Sequence, residues 1–147
     1  MNDHTGSAMQ QHKVLHVEDD PSVARAVARV LRIKGYEVTS AASGAEAVQA
    51  VENGLVPDVI LTDYHLPFEM TGDQVLAEIT TRLGFTPPTI MLASVQYPHA
   101  EKVKSVAYRV FEKPADMLLV VHEIQHLVGA QSIEISDLPP RARVGNF

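Results

Sequence analysis

Five short, uninterrupted apolar runs alternate along this chain with segments of helical periodicity, and this alternation constrains the fold more than any other feature. Strands that are apolar throughout are typical of a parallel sheet whose two faces are both covered. Parallel neighbours need crossover connections, which are usually right-handed and helical. We therefore expect a doubly wound α/β fold with five parallel strands, at about residues 14–17, 36–40, 58–62, 89–93 and 108–111.

The connecting segments carry signals for helix starts. Asp20 stands where a helix N-cap is expected, and Ser43 and Glu46 have the spacing of a capping box. A short helix is predicted over 98–107 and a last helix over about 115–128. The 147 residues suffice for one domain. Periodicity is lacking at both ends, so we expect three parts: a flexible tail over 1–12, one domain over 13–129, and a tail or linker over 130–147.

Composition excludes several classes of function. The chain has no cysteine, which rules out disulfides, thiolate metal sites and cysteine nucleophiles. Its formal net charge of −6 argues against direct nucleic-acid binding. The sequence has neither an apolar run of the roughly 18–20 residues that span a bilayer nor a signal peptide. We therefore expect a cytoplasmic protein without direct membrane insertion.

Charged residues stand where three of the predicted strands end. The first strand leads into Glu18 and Asp19, the third ends at Asp63, and Lys113 follows the fifth. In doubly wound folds, ligands bind beyond the carboxyl ends of the strands. If the first and third strands are neighbours, their carboxylates converge and raise one another's pKa, which a hard cation such as Mg²⁺ relieves. A cation and an ammonium beside a carboxylate suit phosphoryl transfer onto that carboxylate.

The chain resembles the response-regulator receiver domains of two-component signalling over about residues 13–128, in the stretches VLHVEDDPSVARAVARVL, PDVILTDYHLP, MTGDQVLAEI, TIMLAS and VFEKP. The resemblance implies a flavodoxin-like sheet with strand order 2-1-3-4-5. It also implies Mg²⁺-dependent phosphorylation by the phosphohistidine of a sensor histidine kinase or a phosphotransfer protein, with an unidentified downstream protein responding. An isolated receiver domain is not an enzyme, although it assists its own phosphorylation and dephosphorylation.

The resemblance also assigns roles to individual residues. Asp63 is the expected phosphoacceptor, and Lys113, often joined to its proline by a cis bond in this family, is expected to bind the phosphoryl oxygens. Asp19, Asp63 and the backbone carbonyl of His65 are expected to hold Mg²⁺, with Glu18 acting through water. The side chain of His65 is either a screen for the phosphoryl group or a plain loop residue.

Two positions depart from the family pattern in the predicted switch region. The usual hydroxyl residue at the end of strand four is Ala93, followed by Ser94, so either a register shift lets Ser94 serve in catalysis or the hydroxyl is missing. The usual switch aromatic is Val110. Two functions therefore stay open: a phosphorylatable switch, and a non-switching pseudo-receiver that acts as a docking module.

Two further features bear on the parent protein. One residue is inserted in the loop around Phe68-Glu69. That loop and the short fourth helix resemble receiver domains at the C-terminus of hybrid sensor histidine kinases. In such a protein the parent chain would be a histidine kinase, and whether this chain is free-standing stays open, as does homodimer formation.

The segment His122-Glu123-Ile124-Gln125-His126 matches the HExxH pattern of zinc proteases. Ser132 stands where the extended pattern needs a third ligand, and the helical phase predicts that His122 and His126 face solvent. Both observations argue against a protease. His16, inside the first strand, is expected to be a buried histidine whose hydrogen bonds are satisfied. Lys102, Lys104 and Arg109 form a basic patch that is either a solvated surface or a docking surface.

Overall fold

The structure is a computed structural model that describes residues 11–68, 70–94 and 109–129. Within these residues, five strands and four helices follow one another along the chain: β1 (Lys13–Val17), α1 (Pro21–Ile33), β2 (Glu37–Ala41), α2 (Gly44–Glu52), β3 (Val59–Asp63), α3 (Gly72–Leu83), β4 (Thr89–Ser94), β5 (Arg109–Lys113) and α4 (Met117–Val128). The helix predicted over 98–107, the tail predicted over 130–147 and most of the tail predicted over 1–12 lie outside the described residues.

The five strands form one sheet in the order β2-β1-β3-β4-β5, and all neighbouring pairs are parallel. This confirms the predicted fold and strand order. Strands β3, β4 and β5 extend one or two residues beyond their predicted ends, into Asp63, Ser94 and Lys113. The prediction followed apolar character, whereas the parallel pairing continues into these polar residues: Asp63 pairs with Leu92, and Ser94 pairs with Lys113.

Each face of the sheet carries its own core, because neighbouring residues of a strand point to opposite faces. On one face, Val14 of β1 and Leu61 of β3 belong to a cluster that α1 and α4 cover. On the other face, Leu15 and Ile60 belong to a cluster that α2 and α3 cover. Among the described residues, no helix is both long enough and apolar enough to cross a membrane.

Capping side chains fix where the helices begin at the carboxyl edge of the sheet. The carboxylate of Asp20 accepts hydrogen bonds from the backbone N–H groups of Ser22 and Val23, at 2.9 and 3.3 Å. The hydroxyl of Ser43 accepts one from the N–H of Glu46 at 3.2 Å, and the Glu46 side chain accepts one from the N–H of Ala42. Both predicted caps are confirmed, and they hold the loops that follow β1 and β2.

Candidate functional site

Three carboxylates converge where β1 and β3 end side by side. Glu18 and Asp19 directly follow β1, and Asp63 is the last residue of β3. One oxygen of each side chain lies within 4.8 Å of the others. Within the part of the chain that the structure describes, this is the one group of three or more acidic or histidine side chains placed to share a cation.

Asp63 is almost completely buried, at 2% exposure, and its oppositely charged partner comes from β5, two strands away in the sheet. Lys113, the last residue of β5, places Nζ 3.0 Å from Asp63 Oδ1. That oxygen is buried and forms no hydrogen bond of regular geometry with any described residue. The Lys113 contact is therefore an ion pair, and a carboxylate oxygen has a second lone pair with which it can also bind a hard cation. The Lys113–Pro114 bond is cis, as the resemblance implies.

Burial raises the pKa of the Asp63 carboxyl to about 7, because an ionised carboxylate is poorly solvated there. The ammonium of Lys113 opposes this rise in the pKa, and the nearby carboxylate of Glu18 adds to it. A divalent cation bound at the three carboxylates would favour the ionised form of Asp63. The site is thus one in which cation binding and deprotonation of Asp63 support each other.

The two acidic residues after β1 are held differently. Glu18 is buried at 5% exposure, its N–H donates to the carbonyl of Ala41 at 2.9 Å, and its Oε2 accepts from the N–H of Asp20 at 3.0 Å. Asp19 is exposed. One oxygen of Glu18 is therefore engaged with the backbone. The donor set of three carboxylates suits Mg²⁺, which prefers oxygen ligands and retains waters.

The loop between β3 and α3 approaches Asp63 closely at Gly72. The N–H of Gly72 donates to the carbonyl of Tyr64 at 2.7 Å, and His65 and Thr71 form an antiparallel bridge. A Cβ atom added at Gly72 would lie 2.5 Å from the backbone oxygen of Asp63. Glycine is therefore required here to let the start of α3 contact the end of β3.

His65 is exposed and is therefore not part of the buried surroundings of Asp63. Its ring meets the ring of Tyr64 edge to face, with centroids 5.0 Å apart and planes at 89°. Whether this imidazole screens a phosphoryl group from water stays a prediction.

The predicted switch positions lie in a small third cluster. Ala93 is 2% exposed and packs with Tyr64 and Met91, and the half-buried Val110 packs against them. Tyr64 follows Asp63 directly, and it was not predicted as a neighbour of these positions. Its place in the sequence gives no signal for this contact, because the contact depends on how β3 and β4 pair.

The pairing of β4 with its neighbours is regular. Asp63 pairs with Leu92, and Ser94 pairs with Lys113. The backbone of Ser94 therefore lies beside Lys113, one residue beyond Ala93. A catalytic role for the Ser94 hydroxyl stays a prediction, since its side chain lies outside what the structure describes.

The expectation for His16 was wrong in one respect. His16 is buried at 1% exposure, as predicted, but neither ring nitrogen has a hydrogen-bond partner among the described residues. Burial, and next the nearby positive charge of Lys113, lower the pKa of His16 to about 4. Its location in the strand was readable from the sequence, whereas the absence of partners depends on which side chains the fold places around it.

The HExxH segment forms part of α4, and the structure corrects its predicted orientation. His122 and His126 are half-buried rather than facing solvent, and each has one buried ring nitrogen that finds no hydrogen-bond partner in the described part of the chain. Glu123 is 1% exposed, and its Oε2 lies 3.5 Å from Nε of Arg109. The glutamate that would activate water in a zinc protease thus faces the sheet in an ion pair. Of the predicted basic patch, Lys102 and Lys104 lie outside the described residues.

Comparisons with known proteins consistently match this chain to response regulators and their receiver domains. A family model described as the response regulator receiver domain matches residues 14–125. The chain is 36% identical over 93 residues to the transcriptional regulatory protein KdpE of Mycobacterium tuberculosis, a match that covers 63% of this chain and 39% of that protein. The chain therefore spans about two fifths of the length of this curated relative.

Solved structures give the same result. The chemotaxis response regulator CheY4 of Vibrio cholerae superposes with a TM-score of 0.67 and 30% identity, covering 80% of this chain and 99% of that one. The receiver domain from the hybrid histidine kinase CckA superposes with a TM-score of 0.65 and 28% identity, covering 79% and 98%.

Proposed function

This chain belongs to the response regulator receiver domain family of two-component signalling, and on that premise we propose that Asp63 accepts a phosphoryl group from a phosphohistidine. Receiver domains interact with histidine kinases or phosphotransfer proteins, and a protein of one of these classes is the proposed donor. The observation that supports the proposal is the ion pair between the buried Asp63 carboxylate and Lys113, beside Glu18 and Asp19.

The proposed transfer is a single displacement at phosphorus. An oxygen of ionised Asp63 forms the new O–P bond as the N–P bond to the donor imidazole breaks, and the electron pair of that bond returns to the imidazole nitrogen. The ammonium of Lys113 neutralises charge on the phosphoryl oxygens as they approach Asp63. The pairing of Lys113 with Ser94 at the end of β5 holds the lysine at the edge where this occurs.

We propose that Mg²⁺ is held by Asp19, Asp63 and the backbone carbonyl of His65, with Glu18 acting through water. When bound, the ion supplies positive charge that neutralises the phosphoryl oxygens. An indirect role for Glu18 is supported by its Oε2, which already accepts a hydrogen bond from the backbone N–H of Asp20. The receiver domain proposed to carry out this chemistry spans residues 13–129.

A second candidate function is a docking module that does not switch. It is favoured by one observation: Ala93, where the family resemblance expects a hydroxyl, packs in an apolar cluster with Tyr64, Met91 and Val110. In that case, partner binding would be indifferent to phosphorylation. Affinity for a partner that is equal for the wild type and Asp63→Asn, with and without phosphorylation, would favour this candidate.

The experiment that tests the proposed function is intact-mass analysis after incubation with acetyl phosphate and Mg²⁺. We expect a single phosphoryl adduct that needs Mg²⁺, is removed by hydroxylamine and is absent from Asp63→Asn. Asp58→Asn is the matched control, because Asp58 is a half-exposed carboxylate before β3, at the opposite edge of the sheet. An adduct that persists in Asp63→Asn would show that Asp63 is not the acceptor.

A further inference from the structure

Phe68 adopts a backbone conformation that its residue type disfavours. Its φ angle is +64°, and it is the one non-glycine residue with positive φ among the described residues. The left-handed region brings the Cβ atom close to the following carbonyl oxygen, and a bulky aromatic has no local hydrogen bond to compensate. Such strain persists when the surrounding structure holds it in place, and it is concentrated at functional segments.

The loop around Phe68 is anchored on both sides. Leu66 and Met70 are partly buried and pack against the core between the sheet and α2–α3. His65 and Thr71 bridge the base of the loop. Phe68 lies between these anchors and is 86% exposed, the largest exposure among the large apolar side chains of the described residues. The loop therefore presents an aromatic ring to water, although burial would stabilise it.

The position of Phe68 relative to the candidate site is informative. Six large apolar side chains are exposed among the described residues. Three of them, Val23, Phe68 and Leu118, follow the carboxyl ends of β1, β3 and β5, the same ends that carry Asp19, Asp63 and Lys113. The other three stand at the opposite edge of the sheet: Ile33, Val56 and Phe85.

Asp63 is 2% exposed, so a macromolecule that brings a phosphoryl group within bonding distance must also cover the loops at this edge. A membrane or a nucleic acid is anionic, and the net charge of −6 and the acidic pair Glu18-Asp19 oppose its approach. An apolar protein surface is not repelled by the net negative charge or by the acidic pair. Aromatic side chains, phenylalanine included, are also enriched at the cores of protein–protein interfaces.

We propose that Phe68 is an anchor for the protein that donates the phosphoryl group, and that its ring inserts into an apolar pocket of that protein. This inference rests on the proposed function. It assigns donor selectivity to Phe68 in the loop after Asp63, and it separates two kinds of donor. A small acyl phosphate reaches Asp63 without touching Phe68, whereas a protein donor buries the ring.

The test compares the two kinds of donor for the wild type, Phe68→Ala and Phe68→Asn. The small donor is acetyl phosphate. The protein donors are the histidine kinases and phosphotransfer proteins of the organism that encodes this chain, each phosphorylated beforehand, and the one that labels the wild type fastest is used. Phe85→Ala is the matched control, because Phe85 is a half-exposed phenylalanine at the opposite edge.

We expect both Phe68 variants to lower kcat/KM for the protein donor by about tenfold or more, and to leave labelling by acetyl phosphate within about twofold of the wild type. Phe85→Ala should leave both rates unchanged. Phe68→Asn should also raise the thermal midpoint, because asparagine tolerates the left-handed conformation and removes exposed apolar surface. That rise would show that any loss of transfer does not come from misfolding.

Each contrary result has a distinct meaning. Protein-donor rates within about twofold of the wild type in both Phe68 variants would overturn the anchor. The same holds if acetyl phosphate labels the wild type but no protein donor does, or if Phe68→Ala only converts a dimer of this chain into a monomer. No labelling of the wild type by acetyl phosphate would instead overturn the proposed function, and the anchor with it.

Discussion

Nζ of Lys113 lies 3.0 Å from Oδ1 of Asp63, although the two residues end strands β5 and β3, between which β4 runs. The Lys113 side chain thus extends past the end of β4 to reach Asp63, and it is still 43% exposed. Asp63, in contrast, is buried, and the ammonium of Lys113 is the charged partner of its Oδ1. The pair combines a buried carboxylate with a partly exposed ammonium beside it.

Replacing Lys113 tests the role of that charge. We expect Lys113→Ala to slow phosphoryl adduct formation from acetyl phosphate by about 100-fold, because the ammonium no longer stabilises charge on the transferring group. Time-resolved intact-mass analysis at saturating Mg²⁺ measures the rate. Lys34→Ala, which changes an exposed lysine at the opposite edge of the sheet, is the control. Labelling of Lys113→Ala at the wild-type rate would contradict a role for the ammonium.

The pKa of Asp63 predicts an unusual dependence of stability on pH. This pKa is about 7 in the native state, against an ordinary value of 3.8, so the native state binds the proton more tightly than the unfolded chain. In the absence of divalent cations, Asp63 therefore lowers the free energy of unfolding as the pH rises from about 4 to about 7, and adds no further change above that.

The variant Asp63→Asn removes this dependence. At pH 8 without cation, we expect it to exceed the wild type in free energy of unfolding by about 2–4 kcal/mol. Mg²⁺ should stabilise the wild type and not the variant, since the cation favours the ionised carboxylate. Urea denaturation at pH 4, 6 and 8 measures both effects. Equal stability of the two proteins at pH 8 would show that burial of this carboxylate costs little.

Much of this fold was predictable because its signals are local. Apolar runs mark the strands, and the charged residues after them mark the carboxyl edge, so Glu18, Asp19, Asp63 and Lys113 were assigned to one site before any contact was known. The ends of the strands were less predictable. Apolar character reports burial, whereas the ends of β3 and β5 are set by strand pairing that continues through polar residues.

The contacts that the sequence did not predict all depend on side chains that are distant along the chain. The inward position of Glu123 reflects Arg109 on β5. The two His16 nitrogens have no hydrogen-bond partner among the described residues, and this depends on the side chains that the fold places around β1. The packing of Tyr64 on Ala93 depends on the register between β3 and β4. The left-handed conformation of Phe68 has no signal in residue type, because phenylalanine normally avoids it.

His16 should lower the stability of the native state, because its two buried nitrogens lose their hydrogen bonds to water and no described residue replaces them. We expect His16→Leu to raise the free energy of unfolding at pH 7 by about 1–3 kcal/mol. In the wild type, the pKa of His16 is about 4, below the ordinary value of 6.5, so the unfolded chain binds the proton more tightly. Its contribution to stability should therefore fall by up to about 3 kcal/mol between pH 6.5 and pH 4.

The difference between His16→Leu and the wild type across this pH range isolates the effect, since other groups titrate in both proteins. His12→Gln is the control, because His12 is half-exposed. A constant difference in stability from pH 7 to pH 4 would show that His16 finds a partner for its proton in the native state.

Gly72 tests whether the close approach of α3 to β3 positions Asp63. A Cβ atom at this residue would lie 2.5 Å from the backbone oxygen of Asp63 and 2.5 Å from Sδ of Met91. The methionine can move, but the backbone oxygen belongs to the paired end of β3. We therefore expect Gly72→Ala to displace the loop, to lower the free energy of unfolding by about 1–3 kcal/mol, and to slow labelling by acetyl phosphate.

Gly84→Ala is the matched control at the other end of α3. Gly84 has a φ angle of +84° with nothing within 4 Å of an added Cβ, so alanine there strains the backbone without a clash. It should cost about 1 kcal/mol of stability and leave the labelling rate unchanged. The two variants thus separate a general loss of stability from a displaced acceptor. If both slow labelling equally, the contact between Gly72 and Asp63 does not position the site.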